Sequence, residues 1–369
     1  MCAVPRTILA DVAVIGGGPA GCAAALTLLK YSSLRVVVAE SSNYSGFRLG
    51  ENVPPGVTPL LTFLDAAQCL ENECHIPAQG TGAAWGGPEV FSRDFLFTGQ
   101  GHGWYLDRRR FDRSLADLVR KRGGKLLLGA RVAETRREHD QWRLIVQQKK
   151  GDRRVQLQVR WIIDASGRNA VSAHKLANVR LHDRLLGVAA LYNLPVHPAN
   201  DSFALVEAAP LGWWYSAPLP DRRMIVVFMS DADLVRKHAL CAKRSWLEHV
   251  ATSTHTRRRL HEASYQLPLH IRPAYSQVAE PPTGKGWVAA GDAAASFDPL
   301  TSMGIGYALL SGIESARVAH NVLGGSGYLV QRFAESVADH FYNYLRLRRS
   351  VYRIEQRWPD QPFWSRRHQ

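Results

Sequence analysis

Residues 8–40 constrain the fold more than any other stretch. Ile8-Leu-Ala-Asp-Val-Ala-Val-Ile15 is a short apolar run rich in branched residues, the pattern of a strand buried on both faces of a parallel sheet. Gly16-Gly-Gly-Pro-Ala-Gly21 follows at once, with Gly16, Gly18 and Gly21 at the three glycine positions of GxGxxG. Pro19 suits the first turn of a helix, where a missing N–H costs nothing. Ala20 and the run Cys22-Ala-Ala-Ala-Leu-Thr-Leu-Leu29 are strongly helix-forming. A second strand, Leu34 to Ala39, ends in Glu40, about 20 residues beyond the last glycine.

The physics of that order asks for glycine three times: for a tight turn, for close approach of a pyrophosphate to backbone, and for close helix–strand packing. The helix start then offers free N–H groups and the positive end of its dipole, and the strand-terminal carboxylate accepts hydrogen bonds from a ribose. Dinucleotide binding is therefore expected at Gly16, Gly18, Pro19, Ala20, Gly21 and Glu40. A later segment repeats the logic. Val288-Ala-Ala-Gly291-Asp292 is an apolar strand ending in a carboxylate, where a polyol can bind, or where the aspartate simply caps a helix. Pro299, Thr301, Ser302 and Gly304 precede a helical run from Ile305 to about Asn321, whose start suits negative charge on a reduced flavin.

Composition sets the outer limits. The chain has 369 residues, 46% of them hydrophobic, which suits a two-domain enzyme and excludes a wholly disordered chain. Five cysteines (Cys2, Cys22, Cys69, Cys74, Cys241), an odd number with no CxxC, argue against a disulfide framework or a zinc site and for plain thiols in a reducing, cytoplasmic compartment. No metal site is expected. The run Ile8–Leu29 carries Asp11 and four glycines, so it reads as a soluble element, not as a signal or membrane span.

Four further segments carry a family resemblance. Arg48-Leu-Gly-Glu51 is similar to an R-x-G-E segment, Arg108-Arg-Arg-Phe-Asp112 to an R-x-x-F-D helix start, and Trp161-Ile-Ile-Asp164-Ala-Ser-Gly167 to a strand-borne D-x-x-G. Gly286–Asp292 running into Phe297-Asp-Pro-Leu-Thr-Ser-Met-Gly304 resembles a G-D motif followed by D-P-L-x-S-x-G. All four belong to the flavoprotein monooxygenase superfamily, in the branch of flavin-dependent tryptophan halogenases and geranylgeranyl-reductase-like proteins. The resemblance spans nearly the whole chain. It implies FAD as cofactor, held additionally by Arg48, Arg108, Asp164, Gly291, Asp292, Pro299, Ser302, Gly304 and Ile305, with Asp292 on the ribityl chain. For Arg108 a solvated charge among three arginines is the competing reading. One GxGxxG leaves no second nicotinamide domain, so NAD(P)H is expected to reduce the flavin by transient docking or through a separate flavin reductase.

The implied fold is α/β: a Rossmann-type FAD-binding domain of the hydroxylase kind with an inserted β-rich substrate domain. The expected pieces are residues 1–75, 105–178 and 280–345 for FAD, 76–104 and 179–279 for the substrate lobe, and a basic C-terminal tail at 346–369. Helices are expected over Val57–Leu70 and Phe111–Arg122, and strands over Lys125–Leu128, Trp142–Gln147 and Val155–Ile163, with Lys149–Arg154 a charged hairpin tip. Gly212–Pro218 and Met224–Met229 read as paired strands.

Halogenation, oxygen insertion and reduction are all open to such a scaffold. The halogenases of this branch use a lysine ahead of the R-x-x-F-D helix and a glutamate in D-P-L-E-S-T-G. This chain has no lysine between Lys30 and Lys121, and Thr301 stands at the glutamate position. A hydroxylase of an electron-rich aromatic is the preferred reading. Gly50–Pro55 and the Gly-Trp-Trp-Tyr strand look like the flavoproteins encoded beside lysine and glycine oxidases that carry a tryptophylquinone. That resemblance implies a partner protein, a quinoprotein oxidase precursor, whose tryptophan is hydroxylated during cofactor maturation. The alternatives are a small-molecule flavin hydroxylase or halogenase-like enzyme, and a flavin-carrying chaperone for a partner oxidase.

Hydroxylation needs exclusion of water more than acid–base help. Trp85, Trp104, Trp213, Trp214 and Tyr215 are candidates for the pocket wall, against plain core packing; His75 and His102 are candidates for proton relay, against a structural or surface role. The excess of 46 Lys plus Arg over 32 Asp plus Glu, a formal charge of +14, bears on partners. Five of these cations lie in Arg346–Arg349 and Arg366-Arg367, in a C-terminal stretch interleaved with Tyr352, Trp358, Phe363 and Trp364. A solvated helix and tail is the plain reading, nucleic-acid binding is set aside, and docking of an acidic protein substrate through Arg366 and Arg367 is preferred.

Overall fold

The computed structural model describes residues 6–71, 75–148, 153–195 and 203–369; Cys2, Cys74 and residues 149–152 of the hairpin tip lie outside them. At its centre is a six-stranded sheet in the order Thr283–Gly284, Trp287–Ala289, Trp161–Asp164, Val12–Ile15, Val36–Glu40, Lys125–Leu128, parallel except for the first strand. Its middle strands are apolar up to the terminal Glu40 and Asp164 and buried on both faces, as a helix-covered parallel sheet requires. Register aligns their ends: Ile15 lies beside Ala39 and Asp164, and Asp164 beside Ala289. Gly16, Glu40, Asp164 and Gly291 consequently emerge on one edge, the carboxyl edge where such sheets bind ligands.

The helix Pro19–Tyr31, with Pro19 at its start, covers the sheet through ten consecutive buried residues. Gly304–Leu323 packs across it. A side chain at Gly312 would lie 2.3 Å from the Ala20 carbonyl oxygen, so small residues set the approach of the two helices.

Two expected strands are each divided in two. Ile8–Ile15 forms Arg6–Leu9 and Val12–Ile15, and Val155–Ile163 forms Arg153–Val159 and Trp161–Asp164. Both chains pass at the same level from the central sheet into a four-stranded sheet, ordered Arg6–Leu9, Arg153–Val159, Gln141–Gln148, Ala130–Glu138. The crossing is stitched by Arg160 N–H and Trp161 N–H donating to the Asp11 carbonyl, while the Asp11 carboxylate accepts from Arg35. The helix expected over Val57–Leu70 is also broken, into Thr58–Phe63 and Gln68–Glu71. Asp65 sits at φ +48°, and the freed carbonyls of Phe63, Leu64 and Asp65 accept from Lys30 and Arg122.

The second large layer is a seven-stranded sheet, ordered Ser264–Pro273, Leu185–Asn193, Arg223–Asp231, Gly212–Leu219, Phe203–Ala209, Gly80–Ala84, Phe91–Asp94. Gly212–Leu219 and Arg223–Asp231 pair antiparallel, Trp213 opposite Met229. Strand alternation sends Trp213 to one face and Trp214 to the other, where it packs with Phe228, Trp246 and His249.

The C-terminal residues are not a solvated tail. Residues 346–354 complete the long helix Tyr328–Ile354, and Pro362–His368 forms a helix with Phe363 and Trp364 fully buried. Trp364 Nε1–H donates to the Ala209 carbonyl, and Arg367 pairs with Asp231 inside the molecule.

Candidate active site

The glycine turn separates its three tasks. A side chain at Gly16, φ +102°, would lie 2.3 Å from the Ala165 carbonyl oxygen, and one at Gly21 would lie 1.9 Å from the Gly16 carbonyl oxygen, so packing forbids both. Gly18 has no atom within 4 Å of that direction. The middle glycine therefore faces open space at the start of a helix with no acidic residue in its first turn, a cradle shaped and charged for a pyrophosphate. Pro19 and Ala20 form the helix start beneath it. The Glu40 carboxylate is buried at the strand end; it accepts from Gly17 N–H at 2.7 Å and Ser42 N–H at 2.8 Å.

Arg48 lies beside Glu40 at 3.3 Å and is held by Asp112 at 2.6 Å and the Ser42 hydroxyl at 2.7 Å. Arg108 opens the helix Arg108–Lys121, capped by Asp107, and is not a solvated charge: it donates to the Leu49 carbonyl at 2.7 Å and shares Asp112. Both arginines thus fasten the Arg48–Glu51 segment to the sheet edge. Asp164 turns inward. Its two oxygens accept from Ser166 N–H and O–H, Ser172 N–H and Ala173 N–H, so it shapes the loop that carries Arg168.

Beyond that loop, Gly291 at φ +58° starts a tight turn whose Asp292 pairs with Arg168 at 2.6 Å, both only partly buried. The sequence reading did not single out Arg168; its place just after Asp164-Ala-Ser-Gly167 was the available signal. Pro299 begins a second turn, Ser302 takes the left-handed conformation (φ 51°), and Gly304 and Ile305 start the twenty-residue helix. Asp298 fixes this turn through Leu300 N–H at 3.0 Å and the Tyr352 hydroxyl at 2.8 Å, and Tyr352 in turn accepts from Trp213 Nε1–H at 3.0 Å. The Thr301 hydroxyl donates to the Asp298 carbonyl.

The predicted wall residues divide. Trp213 and Tyr215 lie in one apolar cluster with Trp85, and Phe47, Leu49 and Leu300 of the cofactor side pack against it. Trp85 meets Trp213, Tyr352 and Trp364 edge-on, and its Nε1–H donates to the Val351 carbonyl. Trp104 lies against His102 and packs on the other core. Trp214, on the far face, is not in this cluster. His75 is neutral and structural: burial lowers its pKa to about 4, and Nδ1 accepts from Asp107 N–H. His102 is exposed.

Sequence reasoning also passed over Glu51. Its carboxyl is buried, one oxygen has no hydrogen-bond partner, and burial pushes its pKa up to about 7 against the opposing pull of Arg108. Among the described residues no His/Cys/Asp/Glu group is arranged to hold a metal, and no helix is long and apolar enough to cross a membrane. An open glycine cradle, a strand-end carboxylate, a polar turn at Asp292 and a long helix start, spread along one sheet edge, together fit FAD.

Comparison with known proteins agrees. The profile of the family described as FAD dependent oxidoreductase matches residues 11–183. The chain is 31% identical over 362 residues to the FAD-dependent oxidoreductase LodB of Marinomonas mediterranea, covering 97% of this chain and 96% of that one. It is 23% identical to tryptophan 2-halogenase of Chondromyces crocatus, over 96% of this chain and 70% of the other. Among solved structures, the myxobacterial chondrochloren halogenase CndH matches with a TM-score of 0.89 at 21% identity, covering 98% of this chain and 86% of that one. The peptidyl tryptophan dihydroxylase QhpG, essential for tryptophylquinone cofactor biogenesis, matches at 0.76 with 25% identity, over 98% and 79%. The chain therefore belongs to the FAD-dependent oxidoreductases, within the superfamily of flavin-dependent halogenases and monooxygenases, and FAD is its cofactor.

Proposed function

We propose that this enzyme hydroxylates an electron-rich aromatic ring, the tryptophan side chain of a partner protein on its way to becoming a tryptophylquinone. The observation that carries the reading is the Thr301 position. Its hydroxyl is engaged within its own turn, so the site offers no carboxylate there, and residues 31–120 contain no lysine. The groups that handle halide chemistry in the related halogenases are thus missing while the aromatic-walled scaffold is kept. Similarity to a peptidyl tryptophan dihydroxylase over 98% of the chain supports a protein-borne substrate.

Bound FAD, once reduced, supplies the electrons that activate molecular oxygen. Gly18 and the helix start take the pyrophosphate, Glu40 the adenosine ribose, and Asp292, oriented by Arg168, the ribityl hydroxyls. Arg48 and Arg108 hold the segment leading to Glu51. Trp213, Tyr215 and Trp85, with Leu49 and Leu300, exclude water from the reacting ring. NAD(P)H, directly or through a flavin reductase, is the proposed electron source, in a cytoplasmic setting.

The test incubates holoenzyme, flavin reductase and NADH with a tryptophan-bearing precursor of a quinoprotein oxidase, with oxygen and with chloride or bromide. Mass spectrometry locating added oxygen on one tryptophan is the expected result. A halogenated product, or oxygenation confined to free small aromatics, refutes it.

A further inference from the structure

Glu51 is a buried carboxyl beside the candidate wall to which the function above gives no task. It follows the cofactor-side segment and is tied by its carbonyl to Leu106 N–H at 2.8 Å. Beside it stands Arg108, whose guanidinium lies within 2.8 Å of where a Gly50 side chain would be, with Ile305 of the helix start just behind it. The Tyr215 phenol is close enough to feel the Glu51 charge: burial pushes the Tyr215 pKa up, with Glu51 and Tyr105 adding to the effect. Leu49, two residues earlier, packs in the cluster of Trp213 and Tyr215.

The carboxyl is 96% buried by residue exposure, and its Oε1 has no hydrogen-bond partner. An orphaned buried oxygen costs stability and marks a place where a polar group of another molecule belongs. Gly50 stands against Ile305 of the helix start and Leu49 packs in the aromatic cluster, so the segment that ends in Glu51 bridges the cofactor side and the candidate wall.

We propose that Glu51 is the acid–base residue of the substrate site: it takes the proton from the ring carbon as the new C–O bond forms and passes it to the departing oxygen atom. The inference rests on the hydroxylase reading. Aromatic C–H, O2, two electrons from the reduced cofactor and two protons give the phenolic C–OH and water, so the proton Glu51 accepts is one of those that complete the water. Burial raises its affinity for that proton, opposed by the backbone N–H groups of Glu51 and Gly50 and by the Arg108 guanidinium; the Tyr215 phenol is the other titratable group coupled to it.

Glu51→Gln and Glu51→Asp holoenzymes test it. In the resting wild type, an infrared carbonyl band of a protonated carboxyl is expected to vanish as pH rises through about 7 and to be missing in Glu51→Gln. With the precursor polypeptide as substrate, Glu51→Gln should keep its FAD content and rate of flavin reduction. Its hydroxylated product per O2 should fall about 100-fold, within the range of general acid–base catalysis, with Glu51→Asp partly restoring both yield and pH profile. A Glu51→Gln enzyme that hydroxylates with the wild-type pH profile, or an unchanged infrared band, overturns the proposal alone. A wild type that oxygenates nothing overturns the hydroxylase reading and the proposal with it.

Discussion

Arg366 and Arg367 are neighbours in sequence with opposite expected energetics. The Arg367 side chain is 4% exposed; it donates to both Asp231 oxygens at 2.7 and 3.1 Å and to the Phe363 carbonyl at 2.9 Å, with its guanidinium 3.6 Å from the Phe363 ring centroid. Arg366 is 45% exposed and shares Asp231 at 2.9 Å and Asp233 at 2.7 Å. Removing one partner of a buried pair costs about 3–5 kcal/mol, because the remaining charge is stranded. Arg366 still reaches Asp231 in Arg367→Ala, so the lower end, about 3 kcal/mol, is expected. Arg366→Ala removes a half-exposed pair worth about 0–1 kcal/mol. Urea unfolding of both holoproteins, followed by tryptophan fluorescence and fitted with a common slope, should separate them by about 2 kcal/mol or more. Equal losses, or a larger one for Arg366→Ala, would refute the claim that the C-terminal helix is a structural strut. Loss of partner binding in Arg366→Ala at unchanged stability would return that residue to the docking role expected from the sequence.

Gly21→Ala forces a methyl 1.9 Å from the Gly16 carbonyl and should yield protein that retains little FAD and unfolds earlier, whereas Gly18→Ala, with open space, should fold normally yet bind FAD more weakly; calorimetry and flavin absorbance tell them apart. Tyr352→Phe leaves the Trp213 N–H and a buried Asp298 oxygen unpaired and should cost about 2–4 kcal/mol in the same urea assay. Burial opposes the charge on Asp107, but the Arg109 guanidinium and the helix N–H groups outweigh it and hold its pKa at about 2. A depressed carboxylate stabilises the fold above its unfolded value near 3.9 and loses that contribution as pH falls towards 2. Asp107→Asn should therefore unfold more easily at neutral pH, with the gap to wild type closing in acid titrations between about pH 4 and 2; a gap independent of pH would exclude the ionic contribution.

Local rules made the glycine turn and the strand-end carboxylate legible. A strand, three glycines, an alanine-rich helix and a carboxylate act through neighbours in sequence, and Gly16–Gly21 and Glu40 stand on one sheet edge as their spacing required. Alternation along Gly212–Leu219 likewise put Trp213 and Trp214 on opposite faces, but which face would meet Leu49 and Leu300 depended on how the two sheets pack. The breaks at Asp11 and Arg160 each fall on a single charged residue inside a run of strand-forming residues, and one charge is equally compatible with an uninterrupted strand; only the partner strand decides where a chain leaves one sheet for another. The basic tail misled for a related reason. Arginine counts as surface until an aspartate at a distant position, here Asp231, is brought beside it by folding. Glu51 is the clearest case. The sequence supplied a glutamate in an R-x-G-E segment, but its burial, its unpartnered oxygen and the upward push on its pKa, which Arg108 only opposes, exist once the tertiary structure closes around it, because desolvation is a property of the assembled interior and not of the chain.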